Sequence, residues 1–337
     1  MKDIRIGLIG TGGMGKAHAT AFKNVPLVFG SEPGRPILEI VADIDAGAVE
    51  KWANEFGFAR WTTNWQEVVE DARVDVFDIT TPNALHAQMA IAAARAGKHI
   101  YCEKPLATTS ADAARIVTAV EKSGTISIVG FSYLKNPAQA FAKQLVESGE
   151  LGDITLFRGT FDRDFLADPD VPFSWRLDRA LAGTGALGDL GSNTVAFALF
   201  LVGEIVEVCG LSATNIKERV VPASGSGYAA TAQSGCEKRA VENEDIMEIL
   251  VRKTIYIGPE HPGYKAFFGL AGIGLGYSDQ KTIEAHDLIT AIALEQPAQP
   301  DVRFAYEVNK IIDAVDLSCQ EHRWVPVSEF DTEVDRP

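Results

Sequence analysis

A cluster of glycines directly after a buried-strand pattern limits the fold of this 337-residue chain more than any other feature. Residues 4–9 form a short apolar run, and Gly10-Thr11-Gly12-Gly13-Met14-Gly15 follows it at once, before a helical pattern over residues 16–23. Glycines between a strand and a helix let the backbone approach a pyrophosphate, whose charge the helix N-terminus stabilises. We therefore predict a dinucleotide site here; the alternative is an ordinary glycine-rich turn.

An acidic residue after the second predicted strand indicates which dinucleotide binds. An irregular insertion over residues 25–36 precedes this strand, which covers residues 37–42 and ends at Asp43. A carboxylate there accepts hydrogen bonds from ribose hydroxyls and repels a 2′-phosphate, so NAD is favoured over NADP. Its neighbour Ile44 is included in the predicted cofactor site. Asp45 is a rival for the ribose, but it better fits the N-cap of a helix over residues 46–56.

A third group of polar residues follows the strand predicted over residues 74–80. Hydroxyl and amide groups at the carboxyl end of a strand can bind the ribose or the nicotinamide. His86, on the next helix, is either a further cofactor contact or a buried helix residue with satisfied ring nitrogens. The predicted cofactor contacts in this region are Thr80, Thr81, Pro82, Asn83 and His86.

The segment Tyr101-Cys102-Glu103-Lys104-Pro105 places a lysine just past a short strand over residues 100–102. In an open α/β sheet, ligands bind at the carboxyl ends of the strands. A lysine there can direct positive charge toward a developing alkoxide. We predict that Glu103 and Lys104 belong to the functional site, the alternative being a surface lysine before a helix-starting proline.

The alternation of strands and helices ends near residue 132, which predicts a doubly wound parallel sheet over residues 1–132 and a second domain over residues 133–337. Strand-like segments cover residues 153–161, 205–211 and 246–251, and helices cover residues 282–294 and 302–319. This order predicts an α+β domain with a large open, mostly antiparallel sheet. Asp189 and Asn193 lie four residues apart and share a face if their helix begins by Gly188; otherwise Asp189 is a helix N-terminal acid and Asn193 an ordinary polar position.

Composition excludes several functions. The formal net charge is -15 with no basic stripe, which argues against nucleic acid and anionic membrane as partners. The four cysteines are widely spaced and the six histidines form no metal-ligand pattern, so we expect reduced thiols and no metal site. The apolar run after Met1 is too short for a signal-peptide core and no other run could span a membrane, which favours a cytoplasmic protein.

Together these motifs resemble the Gfo/Idh/MocA family, in the branch of the inositol and levoglucosan-type dehydrogenases. The resemblance covers most of the chain and is carried by GTGGMG from Gly10, TTPNALHAQMAIAAARAGKHIYCEKPL from Thr80, FSWRLDRALAGTGALGDLGSN from Phe173 and SCQEHRWVPV near the end. It implies transfer of a hydride between a secondary hydroxyl of a cyclic polyol or sugar and nicotinamide, in a homo-oligomer formed through the C-terminal sheet. The site residues that it implies are Lys104 with its acidic partner Asp189, then Trp175 and Arg176 around the nicotinamide and substrate, and Tyr133 and Arg163 for polyol contacts.

The chain departs from the family pattern at two places. Asn193 stands where the family has a histidine, and an amide cannot act as a general base, although it can hold a hydroxyl. Lys104 or Asp189 would then be the base, or the protein is an NAD- and sugar-binding sensor without turnover. The run across residues 252–254 has no turn residue, whereas members of the family continue there through a glycine hairpin and more strands. The resemblance therefore implies that a block of roughly 40 to 60 residues, several strands and their turns, is missing there.

Overall fold

A computed structural model describes residues 1–222, 238–241, 266–267 and 275–335. Its first part alternates strands with helices, and the strands pair in parallel in the order β3-β2-β1-β4-β5-β6. The doubly wound parallel sheet that the sequence predicts is confirmed. The elements are β1 (Lys2–Ile9), α1 (Gly13–Val28), β2 (Gly34–Ala42), α2 (Ala46–Phe56), β3 (Arg60–Thr62), α3 (Trp65–Glu70), β4 (Val76–Ile79), α4 (His86–Arg95), β5 (His99–Cys102), α5 (Ser110–Ser123) and β6 (Ser127–Val129).

The remaining helices are α6 (Pro137–Glu147), α7 (Arg179–Ala182), α8 (Ser192–Leu201), α9 (Tyr277–Leu294) and α10 (Val302–Glu321). Helix α9 packs with α1 on one face of the sheet, where Ile4 and Ile6 of β1 are fully buried. On the other face helix α10 packs against α5, which in turn packs against α4. Two helices late in the sequence therefore complete the core of the first sheet, and the domain division at residues 132 and 133 stays a prediction.

The second part contains antiparallel strands, as the sequence predicts. In the described ranges these strands are β7 (Glu207–Val208) paired with β10 (Val325–Pro326), and β8 (Glu218–Val220) paired with β9 (Lys238–Ala240). The residues 153–161, predicted as a strand, pair with no segment in the described ranges. The predicted strand over 246–251 and the proposed gap at 252–254 lie outside the described residues. None of the described helices has the length and apolar character needed to cross a bilayer.

The glycines after β1 serve two different purposes. Gly10 has φ +102°, and a Cβ on Gly15 would lie 2.0 Å from the Gly10 carbonyl oxygen. Those two positions therefore require glycine so that the backbone can make the turn between β1 and α1. A Cβ on Gly12 or Gly13 would meet no atom within 4 Å. The middle of the turn is open, as the approach of a ligand requires.

We expect Gly15→Ala and Gly13→Ala to have opposite effects on stability. Gly15→Ala should lower the free energy of unfolding by about 2 kcal/mol or more, because the turn must shift to admit the methyl group. Gly13→Ala should leave it unchanged or raise it by about 0.5 kcal/mol, because alanine favours the helix. Urea unfolding measures both. Equal destabilisation by the two variants would contradict this account of the turn.

Candidate active site

The first part of the site is the N-terminus of α1. Its N-cap, Gly12, provides no side-chain hydrogen bond, and the first turn contains no acidic residue. Because the first backbone N–H groups of a helix have no partner within the helix, they can bind an anion. With the open space at Gly12 and Gly13, this end of α1 fits the pyrophosphate of a dinucleotide.

Asp43, at the end of β2, lies beside the glycine turn. Its Oδ2 accepts hydrogen bonds from the backbone N–H and the hydroxyl of Thr11, at 2.7 and 2.6 Å. Among the described residues Oδ1 has no partner, so it is available to a ribose hydroxyl. Ile44 next to it is 93% exposed, which is unusual for isoleucine and suits a surface that a ligand covers. Asp45 caps α2 through the Ala48 N–H, as its position predicts.

The polar residues after β4 mainly hold the loops together. The Thr80 hydroxyl lies 2.9 Å from the Ile9 carbonyl oxygen, and the Asn83 side-chain amide donates to the Ala182 carbonyl at 2.9 Å. His86 is fully buried, with Nδ1 2.8 Å from the Pro105 oxygen and Nε2 2.9 Å from the Thr81 oxygen. Burial lowers the pKa of His86, although both carbonyls favour its charged form.

This geometry favours the second alternative for His86, a buried helix residue with satisfied ring nitrogens, over a contact with the cofactor. Its ring connects the loop at Thr81 to the loop at Pro105, so it positions both loops without facing a ligand. Asn83 is likewise occupied within the protein. Thr81 and Pro82 are half-buried at the strand end and remain predicted contacts.

Lys104 lies at the carboxyl edge of the same sheet, after β5, and its peptide bond to Pro105 is cis. Its Nζ is 2.6 Å from Asp189 Oδ1 and 2.7 Å from the Asp189 backbone oxygen. Arg176 Nε lies 3.5 Å from Asp189 Oδ2, and the guanidinium packs over the Trp175 ring at 4.6 Å. The structure thus brings together four residues that the sequence places up to 85 positions apart.

The electrostatics of this cluster favour an ionised carboxylate. Burial alone would raise the pKa of Asp189, but the charges of Lys104 and Arg176 hold it below its ordinary value. The three side chains keep 16%, 28% and 19% of their surface exposed, in the order Lys104, Asp189 and Arg176. A ligand can therefore reach charged groups that are already held in place.

Asp189 lies in a π-helical turn, Leu187–Gly191, that leads directly into α8. Such turns are rare and occur frequently at functional sites. Asn193 is buried one turn later, and its side-chain amide donates to the backbone oxygens of Asp189 and Leu190 at 3.3 and 3.4 Å. Asn193 therefore supports the backbone that carries Asp189.

An aromatic cluster forms a further side of the site. Arg163 Nη2 donates to the Tyr133 hydroxyl at 2.7 Å, which brings these two predicted polyol contacts together. The Phe161 ring centre lies 5.0 Å from that of Tyr133, and the Tyr277 ring centre lies 5.5 Å from it. The Tyr277 hydroxyl is 3.8 Å from Met14 Sδ in the glycine turn. Tyr277 was not predicted, since only the glycines before α9 marked that region.

The Glu103 carboxylate points into the interior, so its predicted contact with the cofactor, which stays a prediction, would not involve this group. Glu103 is 4% exposed, and its Oε1 bonds to His18 of α1 at 2.9 Å and to Lys281 of α9. Neither partner was predicted. A histidine one turn into α1 is a weak signal, and nothing local distinguishes Lys281 from a surface lysine.

Fold and site together define a dinucleotide-binding oxidoreductase whose second part contributes charged and aromatic side chains to the edge of a Rossmann-type sheet. Residues 4–131 match the oxidoreductase family with an NAD-binding Rossmann fold, and residues 140–253 match the GFO/IDH/MocA C-terminal domain. The chain belongs to the Gfo/Idh/MocA family, as its motifs predict, and NAD is its cofactor class.

Two similar proteins indicate how far the likeness extends. Levoglucosan dehydrogenase from Pseudarthrobacter phenanthrenivorans is 33% identical over 388 positions, covering 98% of this chain and 100% of that protein. A structure of levoglucosan dehydrogenase with NADH and L-sorbose superposes with a TM-score of 0.89 at 32% identity, covering 98% of this chain and 100% of the other. The scyllo-inositol 2-dehydrogenase (NAD(+)) of Bacillus subtilis is 36% identical over 50% of this chain and 46% of its own length.

The alignment with levoglucosan dehydrogenase has more positions, 388, than this chain has residues, 337. Some of that relative's residues therefore have no counterpart here. The missing block near residues 252–254 stays a prediction, because the length of the alignment does not place these residues.

Asp43→Asn should weaken NADH binding and reduce the discrimination against NADPH. The substitution keeps the shape but removes the charge that holds Thr11 and repels a 2′-phosphate. Loss of a hydrogen bond to a charged group corresponds to about 1.5–3 kcal/mol, or roughly 10- to 100-fold in affinity. Fluorescence titration with each nucleotide measures the change.

Asp45→Asn is the matched control, because asparagine is as good an N-cap as aspartate. It should change neither nucleotide affinity nor stability. If Asp43→Asn left both affinities unchanged, Asp43 would not be a ribose contact.

Proposed function

We propose that this protein oxidises a secondary hydroxyl of a pyranose, an anhydrosugar or a cyclic polyol, with NAD as hydride acceptor. The observation that carries the proposal is the Lys104 ammonium held 2.6 Å from the Asp189 carboxylate at the sheet edge that also carries the glycine turn. In the reaction the carbinol C–H bond breaks with its electron pair. The hydroxyl O–H bond breaks as well, and its proton must go to a protein group.

The Lys104 amine is the better of the two proton acceptors. The pKa of Asp189 is held below its ordinary value, so its carboxylate is a weak base. A neutral amine is a much stronger base, and the same group, once protonated, stabilises negative charge on the substrate oxygen. Asp189 then positions the lysine, and Arg176 adds a second positive charge beside it. Asn193, Tyr133, Arg163 and Trp175 are the proposed substrate contacts.

The substrate class rests on the similar proteins and on the aromatic cluster. The relative named for levoglucosan matches over 98% of this chain, whereas the scyllo-inositol enzyme matches over 50%. Half-buried Tyr133, Tyr277 and Phe161 offer apolar ring faces, while Arg163 offers hydrogen-bond donors. We therefore place anhydropyranoses ahead of inositols.

A cytoplasmic location and a homo-oligomer remain proposals. Three cysteines in the described ranges are free thiols, which suits a reducing compartment. The oligomer is supported by the family resemblance and by apolar residues of α8 that the described residues leave half-exposed.

Lys104→Met should abolish turnover while preserving cofactor binding. A panel of anhydrosugars, aldoses and inositols with NAD should give NADH formation with the native protein. In the variant kcat should fall about 10²- to 10⁴-fold, since proton transfer and charge stabilisation are both lost. Lys51→Met removes an exposed lysine and should change nothing, because that side chain is 79% exposed on α2. No NADH formation by native protein that binds NAD would overturn the proposed activity.

Asn193→His tests whether the site lacks an imidazole base only because asparagine occupies position 193, where the family has histidine. Imidazole at this position can accept the hydroxyl proton near neutrality, since its ordinary pKa is about 6.5. We expect kcat/KM at pH 7 to rise about tenfold or more, with a pH optimum displaced toward neutrality. An active variant beside a silent native protein would instead favour the sensor function.

A further inference from the structure

Beneath the site, helix α9 carries two fully buried charged side chains, Lys281 and Glu284. Lys281 Nζ bonds to Glu103 Oε1, lies 2.9 Å from Glu284 Oε2 and lies 5.3 Å from the centre of the Tyr101 ring. Glu284 Oε2 also accepts from the hydroxyls of Tyr101 and Ser132. A helix from the second half of the chain thus supplies the cation that faces the Glu103 carboxylate.

His18 of α1 faces Glu103 from the other side. Its Nε2 lies 2.9 Å from Glu103 Oε1, and its Nδ1 lies 2.9 and 3.1 Å from the two oxygens of Asp78. Burial opposes a charge on His18, but Asp78 and Glu103 hold its pKa above the ordinary value. Three carboxylates and two basic groups therefore form one network without solvent access.

This network is directly connected to Lys104. The second oxygen of Glu103, Oε2, accepts a hydrogen bond from the Lys104 backbone N–H at 3.2 Å. Glu103 is thus fixed by α1 and α9 at one oxygen and holds the backbone of Lys104 with the other. Buried ion pairs contribute little net stability, because desolvation offsets their attraction. Stability alone therefore gives no reason for this many buried charges in one place.

We propose that Lys281 is a positioning residue for Lys104: it holds the Glu103 carboxylate, balances its charge, and so sets the pH range in which Lys104 can accept a proton. The inference rests on the proposed function and extends it to a residue with no contact to the site surface. If the inference holds, the activity depends on the charge of the buried network and not only on its shape.

Opposite substitutions in the network should have opposite effects. Lys281→Met removes a positive charge at nearly constant volume and leaves Glu103 partly unbalanced, which makes loss of a proton from Lys104 harder. Glu284→Gln removes a negative charge and makes that loss easier. The groups that face Glu103 are Lys281, Glu284 and Tyr277 from α9, His18 from α1, Asp78 from β4, His86 from α4, Tyr101 and Cys102 from β5, Lys104 beside it, and Asp189 across the site.

The decisive measurement is the pH dependence of kcat/KM with the best sugar from the panel. In Lys281→Met the midpoint of the rising limb should move about one unit to higher pH, and in Glu284→Gln by a similar amount to lower pH. The double variant should return close to the native midpoint. Shifts of the same sign, or no shift in either single variant, would overturn the proposal.

A control separates charge from simple destabilisation. Lys310 is also a buried lysine among carboxylates, at 3.0 Å from Glu307, 3.0 Å from Asp331 and 3.1 Å from Asp335. Lys310→Met should lower the temperature of unfolding as Lys281→Met does, but it should leave the midpoint unchanged. A shifted midpoint in Lys310→Met would show that loss of stability alone moves the profile.

A second measurement does not depend on turnover. Labelling with limiting acetic anhydride over a range of pH, followed by peptide mass spectrometry, reports the reactivity of the Lys104 amine. The midpoint of that reactivity should move in the same directions in the two single variants. If the native protein oxidises no sugar but these midpoints shift, the proposed activity fails and the positioning role stands; unchanged midpoints with an active enzyme give the reverse result.

Discussion

The buried carboxylate of Glu103 is the constraint on which the arrangement of the site depends. A charge without solvent must be matched by partners of opposite charge, and here these come from positions 85 residues before it and 178 residues after it. His18 lies on the helix that follows the glycine turn, and Lys281 lies on a helix from the second half of the chain. The loop that carries Lys104 can therefore reach its geometry only when α1, β5 and α9 have packed together.

Local patterns were sufficient to predict the parallel sheet and the cofactor turn. The apolar run, the glycines and the capping position of Asp45 each depend on neighbours within a few residues, and the structure agrees with them. The strand expected over residues 153–161 depends on a partner strand elsewhere in the chain, and alternation alone cannot show that such a partner exists. Whether this segment forms a strand is therefore decided by the rest of the sheet and not by the segment itself.

Residue type and position along the chain also do not determine where a polar side chain points. Glu103, Asn83 and His86 all follow strands at the edge where ligands bind, yet all three are directed into the protein. Lys104 comes directly after Glu103 and faces the opposite way, toward Asp189. Family resemblance predicted the Lys104–Asp189 pair correctly as neighbours, but only the packing of α9 explains why Glu103 and Lys104 divide into a buried and an accessible charge.

The amide at position 193 makes the contrast between the buried Glu103 and the accessible Lys104 more important. Asn193 is occupied by the backbone of the π-helical turn, and an amide has no useful pKa near neutrality, so the proposed mechanism assigns proton transfer to the charged pair. Arg176 and Lys104 together lower the pKa of Asp189, which weakens the carboxylate as a base and favours the amine as the proposed acceptor. An amine acts as a base only after it has lost its own proton, and the nearby charges determine the pH at which this happens. In the mechanism that we propose for a site without the histidine, the buried network beneath Lys104 controls the protonation step that imidazole would otherwise perform.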